Sequence, residues 1–313
     1  MRTAYITHPE CLLHEMGAHH PESPQRLHAI NDQLIAARLM ELLQPREAPR
    51  ATREQLLRVH TAAYLDDLAA HLPATGHVML DPDTWMNPHT LDAAHRAAGA
   101  AVLGTDLVVG GEMESAFCAV RPPGHHAEPA RSMGFCLFNN VAVAAAHALA
   151  THGLERIAIC DFDVHHGNGT EKIFADDPRV LLCSTFQHPF YPHTALGTAP
   201  AHVVHAPLQA GAYGEDLQRA VRTLWLPALE RHAPQLILIS AGFDGHYEDD
   251  MGGLNLLEHD FAWLTREVMA MAKRHAGGRV VSVLEGGYAL SALGRSVAAH
   301  LRELLALPAA AGG

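Results

Sequence analysis

Short apolar runs recur along the whole chain, and most of them are continuous rather than alternating. They are TAYIT (3–7), ESAFCAV (114–120), ERIAICDFDV (155–164), RVLLCSTF (179–186), HVVHAPL (202–208), PQLILISAGFD (234–244) and GRVVSVLEGGY (278–288). An alternating strand leaves one face in water; a continuous run is buried on both, as in a parallel sheet covered by helices. Between the runs, 24–43, 52–72, 90–109, 139–153, 213–232 and 258–275 carry apolar residues at helical spacing. This alternation predicts an α/β fold with a doubly wound, mostly parallel sheet sandwiched by helices. No repeat, linker or break in composition interrupts it. A single domain is therefore expected over 1–308, with a frayed tail at 309–313.

Composition narrows the function. The net charge of −12 argues against non-specific nucleic-acid binding, which needs a basic surface. The 5 cysteines (11, 118, 136, 160 and 183) include no CxxC pair, and Cys118, Cys160 and Cys183 sit inside apolar runs. That suits a reducing compartment. MRTAYITHPE carries no hydrophobic signal core and no apolar run reaches membrane-span length, so a cytoplasmic protein with no membrane partner is expected.

In open α/β sheets ligands bind beyond the carboxyl ends of the strands, and the polar motifs of this chain lie there. DFDVHH follows RIAIC, GFD follows LILIS, EGGY follows VVSVL, and RPPGHHA follows ESAFCAV. On an extended segment Asp161, Asp163 and His165 share one face. Asp163 and His165, joined by Asp244 from a further strand end, make three N and O ligands with room for water, the pattern of a catalytic zinc site. Such oxygen-rich ligation also admits Fe(II) or Co(II). His125 and His126, presented by the Pro122-Pro123-Gly124 turn, are placed for acid–base work, and Tyr288 for hydrogen-bonding an oxyanion.

RPPGHHA, GFCLFNN, DFDVHHGNGT, SAGFD and EGGY, in this order, resemble the zinc-dependent histone deacetylase family, which includes acetylpolyamine amidohydrolases. The resemblance runs from about His20 to Leu290 and implies an arginase-like parallel α/β fold. It makes Asp163, His165 and Asp244 the zinc ligands, His126 the general base, His125 a second histidine oriented by Asp161, and Tyr288 the carbonyl-polarising hydroxyl. Asn168 takes the place of His126's partner, where many members have Asp, which should weaken His126 as a base. Phe135 and Tyr191 resemble the aromatic walls of an acyl-lysine tunnel, and Gly134 would offer its carbonyl to the substrate amide. A structural potassium ion would use Asp161 and Ser184, with backbone oxygens of Asp163, His165 and Thr185. Arg26 resembles the arginine that braces the glycine loop below the site.

The implied reaction is hydrolysis of an N-acyl amide, with acyl-lysine in proteins or peptides leading and acetylpolyamine as the alternative. Met251, seven residues after Asp244, is expected at the rim, where an apolar side chain gives no partner to a polyamine's distal ammonium, although Glu248, Asp249 and Asp250 lie close by in sequence. An arginase-like two-metal cluster is disfavoured because Asp244-Gly245-His246 lacks a second carboxylate. A catalytically dead binding module is disfavoured because no ligand is missing.

Overall fold

A computed structural model describes residues 2–194, 196–197 and 199–307. The tail expected at 309–313 lies outside them. The strands, in chain order, are β1 Thr3–Thr7, β2 Gln44–Glu47, β3 Val78–Asp81, β4 Thr84–Met86, β5 Ser115–Cys118, β6 Ile157–Asp161, β7 Val180–Gln187, β8 Val203–Leu208, β9 Leu236–Ala241 and β10 Val280–Leu284. An 8-stranded sheet runs β2-β1-β5-β10-β9-β6-β7-β8, and each pairing in it is parallel. β3 and β4 form a separate antiparallel hairpin. The central strands β5, β6, β7, β9 and β10 are buried throughout, which is why their sequences read as continuous apolar runs.

The register aligns the strand ends. Ile6, Cys118, Val283, Ser240, Asp161 and Ser184 are successive partners across the sheet. The polar motifs begin at or just beyond this row, so one register brings them to one edge of the core.

The helices 90–109 and 258–275 form over the spans their periodicity predicts. The 139–153 stretch is helical over Asn140–Thr151, and the other three predicted helices break. The 24–43 stretch is helical over Gln25–Ala36 and then turns at Arg38, whose φ is 55°. The 52–72 stretch divides into Arg53–Leu57 and Ala62–Ala70, because Thr52 and Thr61 each cap a new helix with a side-chain oxygen. In 213–232 a π turn over Val221–Trp225 precedes Pro227, which has no N–H to continue the α ladder. Helices Asn168–Phe174 and Leu290–Leu304, and the strands β2, β3 and β4, were not expected from the sequence. Among the described residues no helix is long and apolar enough to cross a membrane. All the cysteines are buried and free.

Candidate metal centre and active site

Beyond the register row, β5, β6, β9 and β10 release four loops that meet. Asp163 and His165 come from the loop after β6, and Asp244 from the loop after β9. Ligand atoms of all three lie within 4.8 Å of one another, and all three residues are buried. His165 Nδ1 lies 3.1 Å from Asp163 Oδ1 and 3.2 Å from Asp244 Oδ2. Backbone amides fix the carboxylates: Gly286 N donates to Asp163 Oδ2 at 2.8 Å and Val164 N to Asp244 Oδ1 at 2.9 Å. A Cβ on Gly286 would fall 2.0 Å from Asp244 Oδ2, so only glycine lets the β10 loop approach.

This donor set fits a divalent cation. Among the described residues Asp244 Oδ2 is buried with no hydrogen-bond partner. Burial and the neighbouring Asp163 charge push the Asp244 carboxyl upward. Two facing carboxylates and an imidazole in a dry site are stable with a cation between them and costly without one.

The histidine pair stands beside this centre, with ring centroids 4.0 Å apart. His125 Nδ1 is 3.0 Å from Asp161 Oδ2, and its Nε2 is 3.7 Å from Asp163 Oδ1. Burial alone would lower the His125 pKa, but Asp163 and Asp161 outweigh it and hold the value well above the ordinary one. His126 goes the other way: burial and the adjacent His125 charge hold it well below. Two neighbouring imidazoles are thus driven apart in protonation, one charged and one neutral. His126 Nδ1 bonds Asn168 Oδ1 at 2.8 Å. Asn168 Nδ2 donates to Glu128 Oε1, which fixes the amide's orientation and makes His126 Nδ1 the donor. The Nε2 lone pair of His126 is left for chemistry.

Tyr288 lines the same cavity, and burial raises its phenol well above 10, so the hydroxyl keeps its proton. Arg26 braces its loop, donating to Gly287 O at 2.7 Å and to Glu285 O, with the guanidinium 4.9 Å from the Tyr288 ring centroid. Asp249 adds a second clamp: its Oδ2 accepts from Tyr288 N at 2.6 Å and Ala289 N at 2.9 Å.

The cavity holds about 320 Å³, and its walls include Phe135, Phe190, Tyr191 and Tyr288. Phe190 stacks on His165 at 5.3 Å, and Tyr191 stands edge-on to His126 at 5.2 Å. Gly134, at φ 56°, must be glycine for a second reason: a Cβ there would sit 2.3 Å from His126 Cδ2. Gly134 O accepts from Cys136 Sγ at 3.2 Å. Asp161 and Ser184 are register partners with Thr185 next on β7, so the expected potassium ligands are adjacent and buried.

Met251 lines the cavity as expected, but the rim is not apolar. Asp83 and Asp250 line it too, and they place carboxylates beside Met251. Asp83 arrives on the β3–β4 turn, where its Oδ1 accepts from Gly134 N at 3.1 Å while Thr84 Oγ1 accepts from Phe135 N at 2.9 Å. The DPDT turn signal was its only mark in the sequence. Glu285, read only as the first letter of EGGY, accepts from Gly124 N (2.7 Å), His125 N (3.1 Å) and Ser240 Oγ (3.1 Å). It holds the histidine loop against β9 and β10.

The histone deacetylase domain profile matches residues 20–304. A histone deacetylase-like amidohydrolase of Pseudomonas aeruginosa is 38% identical over 311 residues, covering 92% of this chain and 82% of its own. A human protein named polyamine deacetylase HDAC10 is 37% identical over 319 residues, covering 96% of this chain and 46% of its own. Among solved structures, the HDA15 HD domain superposes with a TM-score of 0.92 at 33% identity, over 97% of this chain and 90% of that one. The chain belongs to the histone deacetylase family. Its class is that of the deacetylases and amidohydrolases.

Proposed function

We propose that the chain hydrolyses N-acyl amides, with an acylated lysine side chain of a protein or peptide as substrate. The observation that carries this reading is that His126, His165 and Tyr288 line one cavity walled by aromatic rings. Such a slot suits a methylene stem ending in a flat amide. Asp163, His165 and Asp244 would hold the ion, zinc first, with Fe(II) or Co(II) also suited to the ligands. When bound, the ion supplies Lewis acidity to the attacking water and to the amide carbonyl.

The remaining chemistry belongs to the chain. His126 Nε2 takes a proton from water, since its Nδ1 hydrogen is committed to Asn168. His125, held by Asp161 at 3.0 Å, adds positive potential where negative charge develops whenever it is protonated. Tyr288 donates its hydroxyl hydrogen to the carbonyl oxygen. Gly134 O accepts the amide N–H and holds the bond in register. His126 then returns its proton to the leaving amine, releasing a carboxylic acid and a free amine. Potassium beside Asp161, Ser184 and Thr185, with backbone oxygens of Asp163 and His165, would stiffen the β6–β7 end. Buried unpaired cysteines support a reducing, cytoplasmic setting.

Asp83 and Asp250 at the rim favour a second reading, an acetylpolyamine amidohydrolase, because carboxylates there attract a distal ammonium. They would attract a lysine-rich peptide as well. The deciding experiment compares kcat/KM of the metal-loaded enzyme on an acetyl-lysine peptide and on N-acetylputrescine. A higher value on the peptide is expected. Far faster turnover of N-acetylputrescine than of any peptide replaces the lysine reading with the polyamine one.

A further inference from the structure

We propose that His166, Glu171 and His205 form a second divalent-metal site on the flank of the sheet, separate from Asp163, His165 and Asp244. His166 lies in the loop after β6, Glu171 on helix Asn168–Phe174, and His205 on the edge strand β8. Glu171 Oε2 is 2.6 Å from His166 Nε2 and 2.7 Å from His205 Nε2, and the three ligand atoms fall within 4.8 Å of one another. The β6 loop, the helix that follows it and the edge strand β8 thus aim two imidazoles and a carboxylate at one point.

The surroundings suit a cation. Phe186 packs against both rings, with centroids 4.5 Å from His166 and 5.8 Å from His205, so both imidazoles are held in place. His166 Nδ1 faces Ser184 Oγ at 3.4 Å, where its hydrogen can rest while Nε2 offers a lone pair. The nearby Lys172 ammonium is paired with Glu128 at 2.7 Å. Glu171 and His205 are partly exposed, at 24% and 12%, and a surface cleft of about 400 Å³ lined by His166 and Glu171 provides entry.

A second His–His–carboxylate cluster, Asp106 with His147 and His152, shows what disqualifies such a group. There Arg58 Nη1 sits 3.0 Å from His147 Nδ1. The guanidinium donates to Nδ1, so the ring hydrogen is confined to Nε2, the atom a metal would need. Among the described residues no guanidinium hydrogen-bonds His166 or His205, and Arg131, which lines the entry cleft, is paired with Asp81 at 2.7 Å. Two nitrogens and one oxygen select zinc, nickel or copper over magnesium or calcium.

The test is zinc chloride titrated into the holoenzyme that already carries its first ion, read by calorimetry and by elemental analysis after gel filtration. A second ion per chain is expected, with none taken up from magnesium chloride. His205→Asn should weaken the second ion by about tenfold or more, since even residues that only support a ligand are worth that much. It should leave the first ion and basal turnover intact. His205→Gln serves if the Asn variant folds poorly, and His152→Ala should bind like wild type. Stoichiometry that stays at one ion in large zinc excess overturns the proposal, as does wild-type zinc uptake by both His205 variants or loss of the second ion in His152→Ala. Because the readout is stoichiometry, these outcomes are independent of which amide the enzyme cleaves.

Discussion

Asn168 Oδ1 accepts the Nδ1 hydrogen of His126 at 2.8 Å, while the amide nitrogen of Asn168 is committed to Glu128 at 3.1 Å. A neutral acceptor orients His126 without adding negative charge. With burial and the His125 charge already holding the His126 pKa well below its ordinary value, the acid limb of kcat/KM should lie below the usual histidine range. Asn168→Asp adds an anion beside His126 and should move that limb upward by about one unit or more. A pH profile with an unchanged acid limb removes His126 as the titrating base.

Tyr288→Phe keeps the ring between Arg26 and Phe135 and removes only the hydroxyl. If that hydroxyl stabilises the developing oxyanion, kcat should fall by roughly two to three orders of magnitude with little change in KM. Steady-state rates within a few-fold of wild type exclude it from the reaction.

Protein purified at low zinc should contain about one tightly held divalent ion per chain. Stripping it with a chelator should abolish turnover and lower Tm, because the Asp163 and Asp244 carboxylates are left facing each other in a dry site. An apoprotein as thermostable as the loaded protein contradicts this account of the ligands.

Glu285 gives a pH dependence of stability. Burial pushes its carboxyl from 4.5 up to about 7, against the opposing His125 charge. The folded protein therefore binds this proton more tightly than the unfolded chain. The contribution is fully present below pH 4.5 and is lost as pH rises through about 7, amounting to about 3 kcal/mol. Glu285→Gln can still accept from Gly124 and His125, and relative to wild type it should gain stability across that window. Parallel denaturation curves for the two proteins from pH 4.5 to 7 would contradict the raised pKa.

At the rim, Met251→Glu should shift the kcat/KM ratio towards N-acetylputrescine by several-fold, since one exposed carboxylate is worth only about 1 kcal/mol. Asp83 and Asp250 already supply charge there, so a complete switch is not expected.

The sequence disclosed what lies on the sheet. A buried strand must be apolar, so Asp161, Asp163, His165, Asp244 and Tyr288 stood out where such runs end. It disclosed little of what lies off it. β2 is the mostly exposed QPRE, with no apolar run to mark it. Asp83 reaches the cavity on a hairpin whose position depends on tertiary packing. Glu285 and Asp249 act by accepting backbone hydrogens, a role that leaves no spacing pattern in a chain. Helix Asn168–Phe174 is too short to show a period, although it carries both Asn168 and Glu171.

Arg26 and Gly287 are 261 residues apart in the chain, and Glu22, which anchors Arg26, also grips Arg121 of the histidine loop 99 residues away. The loop bearing Tyr288 is therefore stitched to the opposite end of the chain. Contacts of such separation close late, after the entropy of a very long loop has been lost. A half-refolded chain can own its helices and its β6–β7–β8 pairings yet lack an oriented tyrosine. In a refolding time course, hydrolysis should return after secondary structure, in step with burial of Arg26.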